Sequence, residues 1–226
     1  MVPLRMVVAA VGAALVVAIA PGFALSASAA PAVGDGPGEV SRGTATESAS
    51  VGSGRVFPVR GPTSYAAAHH DYPAADVFAD CGTPVVAPVT GTVQEVSRVD
   101  RWQPSTDDPQ SRGGKSFSIV GLSGVRYYGS HLRSLAGRMQ PGAAVEAGDP
   151  IGRVGNSGDA EYVPCHLHFG LSPKCRDRGD DWWIRRGVVS PYRFLQSWQH
   201  GGDLDPSHAV HHWLRHNGCQ RSDVFG

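Results

Sequence analysis

CHLHFGL, residues 165–171, is an apolar segment interrupted by two histidines. Side chains two apart in a β-strand point to the same side, so His166 and His168 share one face and the leucine between them points to the other. Cys165 and Phe169 at the flanks favour strand geometry. Two imidazoles on one strand face can be metal ligands, a ligand beside a catalytic base, or a solvent-exposed pair. The segment therefore predicts a strand with a candidate functional site on one of its faces.

The sequence outside this segment predicts further short strands. Residues 84–99 form two apolar stretches with Gly91 as a turn or bulge, and β-rich runs at 116–120 and 125–128 flank Ser123-Gly124, a hairpin signal. In residues 141–155 glycine recurs around single apolar residues, as in tight turns between strands. The 29 glycines and 17 prolines of the chain fit the same pattern. We therefore predict a mostly β, antiparallel sheet domain with a groove for the site.

Helices are expected near the C-terminus. Residues 192–199 follow Ser190-Pro191, a helix start signal, and residues 208–216 are a second helical segment. There His208, His212 and His216 recur every four residues, which places them on one helical face. A surface helix is the preferred interpretation of that spacing, although a metal site is conceivable.

The N-terminal residues indicate export. One arginine precedes an apolar run at residues 6–20, and Ala27-Ser28-Ala29 is a small-x-small cleavage site, so residues 1–29 are predicted to be a signal peptide. An uncleaved membrane anchor is disfavoured because the run is shorter than the roughly 20 residues that span a bilayer. Residues 30–55 contain almost no large apolar side chains and are predicted to be a disordered linker. A folded domain at 56–200 and a tail at 201–226 complete the predicted organisation.

Four cysteines in an exported chain predict two disulfide bonds. Three pairings are possible. The closeness of Cys165 and Cys175 in sequence favours a bond between them, which leaves Cys81 to pair with Cys219. No Cys-x-x-Cys spacing supports a zinc site instead.

Two other segments carry metal-binding side chains. HHDYPAAD at residues 69–76 contains His69, His70 and Asp76, whose imidazoles and carboxylate suit zinc, although Asp71 can also serve to cap a turn. His131 ends the β run RYYGSHL at residues 126–132. A single histidine in such a position is most often structural or solvated.

Together these segments resemble a known family. The order of the motifs resembles that of the LytM/lysostaphin-type zinc metalloendopeptidases, which cut peptidoglycan cross-links. That order is a His…Asp pair, a lone histidine after an aromatic strand, and then His-x-His. HHDYPAAD, CGTPVVAP, RYYGSHL and CHLHFG resemble its secreted actinobacterial branch more closely. The resemblance covers roughly residues 56–200.

The resemblance implies a zinc ion held by His70, Asp76 and His168, with His131 and His166 as catalytic histidines. The family's first motif usually has three residues between histidine and aspartate, whereas five separate His70 from Asp76 here and six separate His69 from it. The extra residues must therefore bulge. We prefer His70 as the first ligand and keep His69 as the alternative.

The expected protein is a secreted or cell-wall zinc metalloendopeptidase acting on peptidoglycan cross-links or stem peptides. We expect a monomer without stable membrane insertion after signal cleavage. A formal net charge of zero gives no basic field for nucleic acid. One alternative is an inactive family domain that binds cell wall and activates an amidase. Another is a D,D-dipeptidase, whose glutamate base could only be Glu161, at a poor spacing.

Overall fold

The computed structural model describes residues 54–175 and 181–219. The predicted signal peptide, nearly all of the predicted linker and the last seven residues lie outside the described residues. Within the described ranges, no helix combines the length and apolar character needed to cross a bilayer.

Nine strands and three helices make up the described domain, together with a 3-10 turn at Gly158–Ala160. In chain order they are β1 (Ala75–Phe78), β2 (Pro84–Val86), β3 (Gly91–Ser97), β4 (Ser116–Gly121), β5 (Val125–Ser130), β6 (Leu132–Leu135), β7 (Ala144–Val145), β8 (Pro150–Val154), β9 (His166–Pro173), α1 (Trp182–Arg185), α2 (Tyr192–Gln199) and α3 (Ser207–Asn217).

The strands form two antiparallel sheets. The larger has the order β1-β9-β5-β4-β3-β7 and the smaller has the order β2-β8-β6. The predicted mostly β, antiparallel fold is confirmed. The hairpin is also confirmed: β4 and β5 are joined by a turn in which Gly124 has φ 77°, a conformation that glycine adopts without strain.

Strand β9 lies in the interior of the larger sheet and divides its side chains between two faces. Leu167, Phe169 and Leu171 are fully buried in the hydrophobic core, where Phe169 lies 6.2 Å from the ring of Trp198 in α2. Each such side chain contributes about 1.5–3 kcal/mol on burial. This core fixes β9 so that its two histidines point to the other face.

The predicted disulfide pairing is wrong. The bonds are Cys81–Cys165 and Cys175–Cys219, with Cα–Cα distances of 5.2 and 5.5 Å. Cys165 and Cys175 stand at opposite ends of the eight-residue strand β9, which spans roughly 26 Å, whereas a disulfide needs Cα atoms within about 7 Å. Antiparallel pairing of β1 with β9 instead brings Cys81 to the start of β9.

The two predicted helices are confirmed, and α3 extends one residue beyond each predicted end. The segment predicted as a tail is attached to the sheet, because Val210 of α3 is fully buried in the core. Arg55 reinforces this attachment through ion pairs with Asp203 and Asp205, at 3.0 and 2.7 Å. Helix α1 was not predicted.

Candidate metal centre and active site

Three neighbouring strands bring the site together. In the register of the larger sheet, Asp76 of β1 lies opposite His168 of β9, and Ser130 of β5 lies on the other side of His168. His131 follows directly after β5. The site therefore lies at one end of three adjacent strands, where antiparallel pairing joins residues far apart in sequence.

A histidine, an aspartate and a second histidine converge at this end. The ligand atoms of His69, Asp76 and His168 all lie within 4.8 Å of one another. His168 Nδ1 is 2.9 Å from Asp76 Oδ1, and His69 Nε2 is 3.6 Å from Asp76 Oδ2. Two imidazoles and one carboxylate are a donor set that zinc accepts.

His70 is not part of this group. Its side chain is 72% exposed and its Nδ1 lies 2.7 Å from Asp71 Oδ2, whereas the side chain of His69 is 4% exposed. The ring of Tyr72 packs 4.5 Å from that of His69 and 5.7 Å from that of His168, which holds the preceding loop against β9. His69, the alternative first ligand, therefore lies at the position that was predicted for His70. The loop bends enough to accommodate the six residues between His69 and Asp76.

The tautomer of His168 follows from its second contact. His168 Nε2 lies 2.9 Å from the carbonyl oxygen of Arg186, which can only accept, so Nε2 carries the hydrogen. A neutral imidazole then directs the lone pair of Nδ1 toward the Asp76 carboxylate. Two acceptors facing each other require a cation between them, either a proton or a metal ion. The donor set thus fits a metal ion, and the carbonyl orients the ligand as outer contacts in metal sites do.

The approach of Arg186 to β9 depends on Gly170. A β-carbon at Gly170 would overlap the Arg186 carbonyl oxygen. Any larger residue at this position would push away the group that orients His168.

Two further histidines lie beside the candidate ligands. His131 Nδ1 lies 2.8 Å from the Ser157 carbonyl oxygen, and His166 Nδ1 lies 2.9 Å from that of Pro164. Each Nδ1 must therefore donate, which leaves Nε2 of both rings as a proton acceptor. Their ring centroids are 4.9 Å apart, and that of His131 is 5.9 Å from that of His168.

His131 has an unusual backbone conformation. Its φ of 62° lies in the left-handed region, which residues other than glycine rarely occupy. Its backbone N–H donates to the Gly113 carbonyl at 3.0 Å, which helps to hold this geometry. Strained residues that surrounding contacts hold in place are concentrated at functional sites.

The protonation states suit metal binding. Burial lowers the pKa of His69 to about 4, and burial together with the neighbouring His168 and His166 lowers that of His131 to about 3. Burial opposes ionisation of Asp76, but a proton held between its carboxylate and Nδ1 of His168, together with the nearby imidazoles, outweighs burial and lowers the pKa of Asp76. At neutral pH Asp76 is therefore a carboxylate, and His69 and His131 are neutral imidazoles, as metal ligation by Asp76 and His69 requires.

Part of the chain is similar to known proteins. Residues 70–178 match the model of Peptidase family M23. The match covers slightly less than half of the chain. The L-Ala–D-Glu endopeptidase of Bacillus subtilis (strain 168) is 31% identical over 129 residues, which are 55% of this chain and 34% of that protein. The chain thus spans about a third of the length of this relative.

Two solved structures resemble part of the chain. The crystal structure of a candidate glycyl-glycine endopeptidase lytM from Ruminococcus gnavus has a TM-score of 0.50 and 23% identity, covering 67% of this chain and 62% of that one. The catalytic domain of lysostaphin from Staphylococcus simulans has a TM-score of 0.43 and 24% identity, covering 62% of this chain and 93% of that one. The first of these likenesses supports the assignment of the fold.

The site opens into a cleft of about 410 Å³. Arg112 and Gly113, from the long loop before β4, line this cleft. Sequence reasoning gave the aromatic and cationic side chains of the wall no role in the site, because nothing in their spacing distinguishes them. They are Tyr72, Tyr128, Trp182, Arg185 and Arg186.

Proposed function

We propose that the chain is an exported zinc metalloendopeptidase of family M23 that hydrolyses peptide bonds in peptidoglycan. The observation that carries the proposal is the convergence of His69, Asp76 and His168 beside two histidines whose Nε2 atoms are acceptors. We assign zinc to the first three residues and catalysis to His131 and His166. His70, which the resemblance first suggested as a ligand, has no assigned role.

Each group has a defined task in this proposal. Zinc, when bound, acts as a Lewis acid and lowers the pKa of water from 15.7 to roughly 7. Nε2 of His131 or His166 accepts the proton of the attacking water. The resulting imidazolium donates a hydrogen bond to the developing oxyanion and then gives its proton to the leaving amine. The carbonyls of Ser157 and Pro164 keep both rings in the tautomer that this sequence of steps needs.

The peptide substrate and the location rest on separate observations. The Bacillus subtilis relative is named as an endopeptidase that acts between L-Ala and D-Glu, which supports a peptidoglycan stem peptide as substrate. Two disulfide bonds support an oxidising environment outside the cytoplasm. An inactive domain that activates an amidase is disfavoured, because all five metal-binding and catalytic positions are filled.

Zinc content measured together with peptidoglycan hydrolysis tests the proposal. Zinc-loaded wild type is expected to hydrolyse purified peptidoglycan. His131→Ala should retain one zinc and lose hydrolysis, whereas His168→Ala should lose both. His70→Ala is the matched control and should retain both. Wild type that binds no zinc and leaves every peptide intact would refute the proposal.

A further inference from the structure

The peptide bond between Ser157 and Gly158 connects His131, a proposed catalytic histidine, to a carboxylate from a distant segment. Nδ1–H of His131 donates to the Ser157 carbonyl at 2.8 Å, and the Gly158 N–H of the same peptide bond donates to Asp100 Oδ2 at 2.8 Å. The peptide bond is trans, so its carbonyl and its N–H point in opposite directions. One rigid, planar group therefore lies between a carboxylate and an imidazole.

Asp100 is held in place for this contact by its own loop. It lies in the long loop between β3 and β4, 58 positions before Gly158, and its second oxygen, Oδ1, accepts the backbone N–H of Trp102 at 3.1 Å. Both carboxylate oxygens are thus hydrogen-bonded. The residue as a whole is exposed, so its substitution removes a contact without opening a cavity in the core.

The hydroxyl of Ser157 fixes the other side of the same peptide bond. Ser157 Oγ accepts the backbone N–H of Lys115 at 2.9 Å and donates to the carbonyl of Leu132 at 2.9 Å. Leu132 directly follows His131 in the chain. The hydroxyl therefore holds Ser157 beside the ring to which its carbonyl is bonded.

A carboxylate at one end of this chain of hydrogen bonds strengthens the bond at the other end. Hydrogen bonds in series polarise one another, so a charged acceptor on the N–H makes the carbonyl of the same peptide bond a stronger acceptor. The Nδ1–H of His131 is thus held more firmly than by a carbonyl alone. Asp159 does not replace this contact, because its Oδ1 lies 3.9 Å from His131 Nδ1, beyond hydrogen-bond distance.

The second proposed catalytic histidine, His166, provides an internal comparison. Its Nδ1 lies 2.9 Å from the carbonyl oxygen of Pro164, two positions away in the chain. The tautomer of His166 is therefore set by a local contact to which Asp100 does not contribute. A perturbation at Asp100 should accordingly affect one of the two histidines and not the other.

We propose that Asp100 is a positioning residue for His131 and acts through the peptide bond between Ser157 and Gly158. It fixes the direction of the Ser157 carbonyl, which keeps the hydrogen of His131 on Nδ1 and leaves Nε2 to accept the proton of the attacking water. This inference rests on the proposed function, in which His131 is catalytic. It adds a residue from outside the histidine and aspartate motifs of the site.

Proton exchange at the two histidine rings tests this connection without relying on turnover. The zinc-loaded protein is isotopically labelled at its histidine nitrogens, and NMR measures how fast the Nδ1 protons of His131 and His166 exchange with water. The variants are Asp100→Ala, Asp100→Asn and the matched control Asp108→Ala. Asp108 is exposed in the same loop, and its carboxylate accepts the backbone N–H of Gln110.

In Asp100→Ala, exchange of the His131 proton should become about 10- to 100-fold faster, as expected for loss of a hydrogen bond to a charged group, while exchange at His166 should stay within about threefold. For hydrolysis of soluble peptidoglycan fragments, kcat should fall by about 10- to 100-fold and KM should stay within about threefold, because the ring is misaligned while the substrate site is intact. Asp100→Asn retains one acceptor oxygen and should lie between Asp100→Ala and wild type. Asp108→Ala should match wild type.

The inference is overturned if Asp100→Ala keeps the wild-type exchange rate at His131 or the wild-type kcat. Equal acceleration of exchange at His131 and His166 also overturns it, because that result would reflect a general loosening of the site. Failure of zinc-loaded wild type to hydrolyse peptidoglycan would instead refute the proposed function, and the exchange rates would still decide whether Asp100 positions His131.

Discussion

The buried ion pair between Arg126 and Asp181 connects the sheet to α1, so its disruption should affect both stability and the metal centre. Both side chains are fully buried, with Arg126 Nη2 2.6 Å from Asp181 Oδ2. Asp181 immediately precedes α1, and its carbonyl accepts hydrogen bonds from Ile184 and Arg185. Arg186 directly follows this short helix, and its carbonyl orients His168. We predict that Asp181→Asn weakens both the fold and zinc binding.

The expected magnitude follows from burial. Removing one partner leaves the Arg126 charge uncompensated in the interior, which costs roughly 3–5 kcal/mol. For a domain of this size each kcal/mol lowers the melting temperature by about 2–4 °C, so a fall of roughly 6–20 °C is expected. Loss of an outer contact to a metal ligand typically weakens metal binding by about 10- to 100-fold, and we expect zinc affinity to fall within that range.

Urea denaturation of the metal-free protein and a competitive zinc titration measure the two effects. Asp107→Asn, at the exposed pair with Arg112, is the control and should change the free energy of unfolding by less than about 1 kcal/mol. The double variant Arg126→Met/Asp181→Leu removes both charges and should recover much of the lost stability. If Asp181→Asn has the same free energy of unfolding and the same zinc affinity as wild type, the connection between the ion pair and the metal centre is refuted.

Three further predictions concern the ligand, the disulfides and pH. His69→Ala should weaken zinc binding by more than about 100-fold in a competitive titration, whereas His70→Ala should stay within about threefold; the reverse order would restore His70 as the ligand. Mass spectrometry of a non-reduced digest should find Cys81 joined to Cys165 and Cys175 joined to Cys219, and a Cys165–Cys175 peptide would contradict the fold. Loss of the Cys81–Cys165 bond should lower the free energy of unfolding in urea by roughly 2–5 kcal/mol. The pKa of His131 in the folded protein, about 3, lies below its ordinary value of 6.5. Between pH 6.5 and pH 3 the imidazole is therefore protonated in the unfolded chain and neutral in the folded protein, so stability falls as the pH falls. Metal-free wild type should therefore lose about 2 kcal/mol more stability than His131→Asn between pH 6.5 and pH 4.5 in urea titrations, and equal losses would show that His131 is not buried in its neutral form.

The parts of the fold that local patterns determine were predictable from the sequence. The two-residue period of β9 separated the histidine face from the core face, and the turn at Ser123-Gly124 indicated the hairpin. Helix α2 was recognised from Ser190-Pro191 and the segment that follows. Each of these features depends on residues adjacent in the chain, which is why the sequence alone was sufficient.

Features that depend on distant contacts were not predictable in the same way. The disulfide pairing follows from the length of β9 and from its pairing with β1, neither of which the cysteine spacing reveals. Helix α1 has four residues and depends on an ion pair between positions 126 and 181. The position of His69 depends on Tyr72 packing against His168, a contact across 96 positions of sequence. The sequence therefore predicted which residue types would hold the metal, whereas tertiary contacts determine which of the two neighbouring histidines, His69 or His70, reaches the site.

Mass spectrometry of digested peptidoglycan tests the central claim most directly. Purified peptidoglycan is incubated with zinc-loaded wild type and, in parallel, with zinc-loaded His131→Ala. Wild type is expected to release fragments with new amino termini inside the peptides, and the variant is expected to release none. Peptides left intact by fully zinc-loaded wild type, or new ends confined to the glycan strands, would contradict it.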